Sequence, residues 1–184
     1  MTILTVHGSI EELLMLVYFV RHGNVENPKG LKYGRLPGVP LSEVGQGEIK
    51  KIAAELVDKN IEVIYSSPLL RTKQSAELIE AKLKVPLLFD DRLLEFDCGQ
   101  YQGMSEKEYR ERELWRSGGE TLKQSGDRVI DFLNFVKREN KYKTIAVVSH
   151  EDPIIMAILN LAGKTVAEYD SISLPTGGCI RFEF

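Results

Sequence analysis

Five side chains in this sequence have the chemistry to handle a phosphoryl group: Arg21, His22, Arg71, Glu95 and His150. A neutral imidazole is a good nucleophile toward phosphorus and can carry the transferred group covalently. A guanidinium presents a planar fork that matches phosphate oxygens two at a time. Arg21-His22-Gly23 thus sets a nucleophile beside a clamp, and Gly23 removes a side chain where the backbone must turn sharply or approach a ligand. Arg71, after Ser66-Ser67-Pro68-Leu69-Leu70, falls in the first turns of an expected helix, whose free N–H groups and dipole favour an anion. His150 can donate a hydrogen bond to the same phosphate. Glu95, in Leu94-Glu95-Phe96-Asp97-Cys98-Gly99, can protonate a leaving oxygen, with Asp97 and Glu151 as rival carboxylates. The set calls for no metal and no cofactor, because phosphoryl transfer rests mainly on positioning and charge neutralisation.

The elements that must position these groups are legible in turn. Leu16–Val20 is an unbroken apolar run ending in Arg21-His22, and Thr144–Val148 is another ending in Ser149-His150. Such runs read as strands buried on both faces of a parallel sheet, with the ligand crevice at their carboxyl ends. If they are neighbours, both histidines share that crevice. The loop Asn24–Pro40 is long enough to be functional. Ser42 caps a helix whose core face is Ile49, Ile52, Ala53, Leu56 and Val57, stopped at Asn60. A strand Ile61–Tyr65 follows, then a helix capped by Ser67 with Pro68 first and Leu69, Ala76, Ile79 and Leu83 facing inward. Val85–Phe89 is a short strand. Ser105-x-x-Glu108 reads as a capping box with a Met104–Tyr109 staple, opening a polar helix to Trp115. Its Arg110, Arg112 and Arg116 form a solvated face or a lid over substrate. Thr121-x-x-Gln124 starts a helix with Val129, Phe132, Leu133 and Val136 buried. Asp152, as its N-cap, and Pro153 open a helix apolar nearly all round and ended by Gly163, which implies deep burial or a subunit contact. Ser171–Leu174 and Cys179–Phe184 flank a PTGG turn and read as an antiparallel hairpin, whose edge is a second place for a homodimer contact. Strands alternating with helices predict a three-layer α/β/α sandwich around a mostly parallel sheet.

At 184 residues, with no repeat or linker, the chain reads as a single catalytic domain over 1–184. Residues 1–14 carry no motif and read as an N-terminal extension or a mis-assigned start, in which ILTV can add an edge strand; His7 there reads as a surface residue. A net charge of −3 excludes a general affinity for nucleic acid or an anionic membrane, so any anion must be held by a local cluster. Leu13–Val20 is too short to span a bilayer, and no signal peptide is visible. Two cysteines, Cys98 and Cys179, fit neither a zinc site nor a disulfide framework, so the expected location is cytoplasmic.

The order of RHG, LPGVPLSEVG, SSPLLRTKQSA, LLEFDCGQYQG, GGETL and VVSHEDPI along the chain resembles the histidine phosphatase superfamily, the phosphoglycerate-mutase-like group, over nearly its whole length. The resemblance implies a phosphohistidine at His22, a phosphate pocket of Arg21, Arg71 and His150, and Glu95 as proton donor. It also implies a phosphomonoesterase acting on a small phosphorylated metabolite. The chain departs from the family pattern at Val25 and Pro28, where polar residues are common, and Asn24 and Asn27 are the candidates to replace their contacts. Glu151 stands where glycine is common, and its charge should weaken anion binding unless it is paired or points away. The longer segments of glycolytic mutases are not visible, which favours a hydrolase over a mutase-type phosphotransferase. A non-catalytic phosphate-binding regulatory domain is the third reading.

Overall fold

The computed structural model describes residues 3–4, 14–114, 118–139 and 141–184. Six strands form one sheet in the order β1 (Ile3–Leu4), β6 (Cys179–Glu183), β2 (Leu16–Arg21), β5 (Thr144–Ser149), β3 (Val63–Ser66) and β4 (Leu87–Phe89). β2, β5, β3 and β4 run parallel, and β6 lies antiparallel to β2. The period of two along each strand divides the core between two faces. Val17, Phe19, Ile145, Val147 and Val63 pack on one side with α4 (Leu122–Glu139) and α5 (Glu151–Leu161). Tyr18, Val20, Ala146, Val148 and Ile64 pack on the other with α1 (Glu43–Glu55) and α2 (Leu70–Leu83). Three layers result, with a mostly parallel sheet in the middle, as the alternating pattern predicts. A third, smaller cluster of Phe96, Cys98, Tyr109 and Leu114 lies around α3 (Glu106–Glu111).

α5 is apolar all round because it is buried within this chain, with seven consecutive residues from Pro153 to Leu159 inaccessible. α4 reaches it closely only because residue 126 is glycine; a Cβ there would lie 2.6 Å from the Met156 carbonyl carbon. The outer edge of β6 is paired with β1, which uses the first two residues of the ILTV stretch. The apolar face of α5 is thus used within this chain, and β1 covers Arg181 and Phe182 of the β6 edge.

Several boundaries and caps differ from expectation, each for a local reason. The expected hairpin does not form. Residues 166–171 wind into a short 3₁₀ helix, and the turn after Leu174 bonds the RHG segment: Gly177 donates to the His22 carbonyl at 3.0 Å and Arg21 donates to the Gly178 carbonyl at 3.0 Å. β6 is thereby delivered to β2. α2 begins at Leu70 with Leu69 extended at its N-cap, and the Ser67 hydroxyl is committed to His150 at 2.9 Å. Ser105 makes no capping bond, and α3 ends at Glu111, short of Trp115. Trp115, Arg116 and His7 lie outside the described residues. His150, not Asp152, occupies the N-cap position of α5. Val57 is exposed because α1 gives way to a 3₁₀ turn there, ending on Asn60 in the left-handed region. Strands expected at Ile61 and Val85 start two residues later, at Val63 and Leu87. Ser42 does cap α1, accepting from the Gly45 amide at 3.1 Å.

Candidate active site

The register of β2 on β5 pairs Arg21 with Ser149, so the next residue of each strand, His22 and His150, leaves the sheet at the same height. Their rings meet edge to face with centroids 5.2 Å apart. His22 is pinned through its backbone, donating to the Ser149 carbonyl at 3.1 Å and accepting from Gly177 at 3.0 Å. Its Nδ1 lies 2.8 Å from the Gly23 carbonyl, which fixes the ring proton on Nδ1. Nε2 is left with a lone pair, which accepts from Arg71 Nε at 3.2 Å. Burial first, then the Arg71 guanidinium, hold the imidazole well below its ordinary pKa of 6.5, so it is neutral at physiological pH.

Arg71 projects from the first turn of α2 and is fully buried. Its NH2 donates to the Gly34 carbonyl at 2.7 Å, its Cζ lies 4.7 Å from the Tyr33 ring centre, and its NH1 has no partner among the described residues. His150 Nε2 bonds the Ser67 hydroxyl, while its Nδ1 is buried without a hydrogen bond. Burial, Arg71 and His22 also push this imidazole well below 6.5. Arg21 NH1 donates to the Leu174 carbonyl at 2.7 Å and pairs with Glu151 at 2.9 Å, and its buried Nε is unpartnered. Buried polar nitrogens without partners are rare in folded proteins. Arg21, Arg71 and His150 each carry one.

Glu95 completes the cluster. One carboxyl oxygen accepts from the Phe96 amide at 2.8 Å; the other lies 3.7 Å from His150 Nδ1 and 3.9 Å from Arg71 NH2. Burial and the neighbouring Asp152 push its pKa up to about 7, against the pull of Arg71 and Lys32. Of its rivals, Asp97 accepts from the Gly99 amide and sits 3.6 Å from Arg35, and Glu151 pairs with Arg21. His22, Glu95 and His150 offer three ligand atoms within 4.8 Å of one another, a set that zinc or iron could use. Two guanidinium groups flank it, and a guanidinium already occupies the His22 lone pair. Such surroundings repel a dication and suit an anion.

Two members of the cluster, Arg21 and Glu95, line a cavity of about 730 Å³. Its walls come from the 24–40 loop (Asn27, Leu31, Lys32, Tyr33, Gly34), from α3 and its flank (Glu106, Tyr109, Arg110) and from Val166, Tyr169 and Asp170. Two expected contributors are placed elsewhere. Asn24 accepts from the Ser42 hydroxyl at 2.8 Å and supports the cap of α1, away from the cavity. The Gly23 amide donates to Ser75, and a Cβ on Gly23 would lie 2.4 Å from the Gly45 carbonyl oxygen, so this glycine admits α1. Asn27 lines the cavity with its amide bonded to the Leu31 backbone. Ser67, expected only as a helix cap, and Lys32, expected only as part of the functional 24–40 loop, were not singled out as site residues by sequence.

The sequence pattern of the histidine phosphatase superfamily (branch 1) matches residues 17–184. This chain belongs to that superfamily. It is 34% identical over 171 residues to phosphoserine phosphatase 1 of Hydrogenobacter thermophilus, covering 85% of this chain and 80% of the relative. The mycobacterial glucosyl-3-phosphoglycerate phosphatase shares its fold with a TM-score of 0.80 at 21% identity, over 91% of this chain and 89% of that one. The phosphoserine phosphatase of Entamoeba histolytica, solved with 3-phosphoglyceric acid, does so with a TM-score of 0.76 at 23% identity, over 91% and 89%. The fold of this histidine phosphatase is thus the phosphoglycerate-mutase-like α/β/α sandwich, and the chain is an enzyme of the phosphatase class. Among the described residues no helix is long and apolar enough to cross a membrane.

Proposed function

We propose that this histidine phosphatase hydrolyses a small phosphate monoester, without a metal, through a phosphohistidine at His22. The observation that carries this reading is a buried His22 whose Nε2 lone pair meets Arg71 Nε at 3.2 Å and whose ring packs on His150, while Arg21 Nε, Arg71 NH1 and His150 Nδ1 are buried and unpartnered. A tetrahedral oxyanion supplies the acceptors these donors lack. With the Ser67 hydroxyl donating to His150 Nε2, the His150 proton sits on Nδ1 and faces the phosphate. Arg71 exchanges its bond to His22 for one to a phosphate oxygen, freeing Nε2. That nitrogen attacks phosphorus as the ester P–O bond breaks, and protonated Glu95 gives its proton to the leaving alkoxide. The Glu95 carboxylate then takes a proton from water, whose oxygen attacks phosphorus and releases phosphate and free His22. A carboxyl with a pKa near 7 is suited to both roles.

Relatives whose names specify phosphoserine, glucosyl-3-phosphoglycerate and sedoheptulose bisphosphate support a small phosphorylated metabolite as the substrate class. Two free thiols fit a cytoplasmic enzyme. The test is hydrolysis of an aryl phosphate by the purified chain and by His22→Ala, with and without chelator. The expected outcome is turnover by the wild type that chelator leaves intact and that His22→Ala loses. Equal rates for the two proteins would end the reading.

A further inference from the structure

Beyond the phosphate pocket the cavity holds a charged pair, Lys32 and Asp152. Lys32 is held by main-chain bonds on both sides: its amide donates to the Met104 carbonyl at 2.8 Å and its carbonyl accepts from Gly103 at 2.8 Å. The side chain passes 5.0 Å from the centre of the Tyr109 ring and is only 18% exposed. Burial works against its charge, but Asp152, Glu95 and Glu106 outweigh that and hold it as an ammonium. Its nearest carboxylate oxygen, Asp152 Oδ2, is 4.0 Å away, beyond hydrogen-bond reach. Among the described residues Lys32 makes no side-chain hydrogen bond. Asp152 is fixed from the other side, its Oδ1 accepting from the Tyr169 hydroxyl. Its Oδ2 faces Lys32 with no hydrogen bond of its own. Both residues line the cavity, so this loosely held ion pair presents donors and an acceptor that a ligand can take up in place of water.

A simple anion is a poor match for this place. Bonding Lys32 would bring it against Asp152, and Asp170 also lines the cavity, while Glu106 and Glu151 are paired with Arg110 and Arg21. A head group carrying an anion and a cation on one carbon answers both partners. We propose that the Lys32–Asp152 pair is a substrate subsite for an α-amino-acid head group, with the carboxylate bound by Lys32 Nζ and the ammonium by Asp152 Oδ2. The substrate class is then the phosphate monoester of a small hydroxy amino acid. The assignment rests on the phosphatase reading of the adjoining pocket.

O-Phosphoserine and 3-phosphoglycerate differ in an ammonium against a hydroxyl, and O-phosphoethanolamine keeps the ammonium but lacks the carboxylate. The wild type is expected to favour phosphoserine over each of the others by about tenfold or more in kcat/KM, the scale of one charge-assisted hydrogen bond. Asp152→Asn, which keeps the shape and the bond to Tyr169, should bring the phosphoserine-to-phosphoglycerate ratio close to one. Lys32→Met, which keeps the stem over Tyr109, should bring the phosphoserine-to-phosphoethanolamine ratio close to one. Ratios cancel any change in the shared phosphate chemistry. A wild type that hydrolyses aryl phosphate but treats phosphoglycerate as well as phosphoserine, or variants with unchanged ratios, would overturn the subsite. A wild type inert toward aryl phosphate as well would instead overturn the phosphatase reading itself.

Discussion

Two clusters of arginine and glutamate meet at Glu95, and they differ in how their donors are used. On the cavity side Arg71, Arg21 and His150 each keep one buried nitrogen without a partner, and the Glu95 carboxyl sits among them with its pKa raised. Behind it lies a second cluster of Arg35, Glu120 and Arg128. Glu120 accepts from Arg35 at 2.8 Å, from Arg128 at 2.7 and 2.9 Å, and from the Asp97 amide at 2.9 Å. Arg35 Nε and Arg128 NH2 in turn donate to the Glu95 main-chain carbonyl, at 2.7 and 3.3 Å. The second cluster is satisfied by the protein; the first is satisfied only by what it binds. Residue types alone do not separate a structural charge network from a catalytic one, whereas the count of unused buried donors does.

The contrast predicts opposite balances of activity and stability. Arg71→Met should lower kcat/KM by about a thousandfold, the scale of a lost transition-state cation. Its cost in unfolding free energy should be about 1–2 kcal/mol, well below the kinetic loss, because it strands the Gly34 carbonyl and His22 Nε2 but also removes a buried cation with an unused donor. Kinetics and denaturant unfolding on the same preparation check both. Next in size, Glu95→Gln should lower kcat by about a hundredfold and reshape the pH profile. Glu95 must be protonated for the first step, so wild-type activity should fall as pH rises through about 7. His22 must be neutral, and its depressed pKa places the acid limb well below 6.5. The glutamine variant should lose the limb near 7 and keep the acid one; retention of both would assign the proton to another group. In the satisfied cluster the order reverses. Glu120→Ala removes the carboxylate that Arg35 and Arg128 share and should cost about 2 kcal/mol of stability, with a kinetic loss well below that of Arg71→Met. A larger kinetic than thermodynamic effect would blur the distinction between the clusters.

The floor of the site was legible in the sequence because regular structure builds it. Unbroken apolar runs identified β2 and β5, and a side chain one residue past the end of a parallel strand has few places to go. Two of the wall segments were legible as functional, the 24–40 loop and the stretch holding Tyr109, but which of their side chains face the cavity was not, and the segment of Tyr169 gave no signal. Asn24 misled for a related reason: its amide was free to serve the nearest helix terminus, and Ser42 took it. The expected C-terminal hairpin failed because local turn chemistry competes with tertiary pairing. The PTGG turn bonds the His22 and Arg21 backbone, and β6 is drawn to β2 in place of its sequence neighbour. Glu151, read from sequence as a threat to anion binding, is paired with Arg21 at 2.9 Å. Burial raises its carboxyl against the pull of that arginine.

The most direct test of the covalent route is to quench the enzyme during turnover of an aryl phosphate and locate the phosphoryl group by mass spectrometry at neutral to alkaline pH, where phosphohistidine survives. A phosphoryl group on the His22 imidazole, formed and discharged at rates matching turnover, is the predicted result. Steady turnover with His22 unmodified, or with the group on any other side chain, would contradict it.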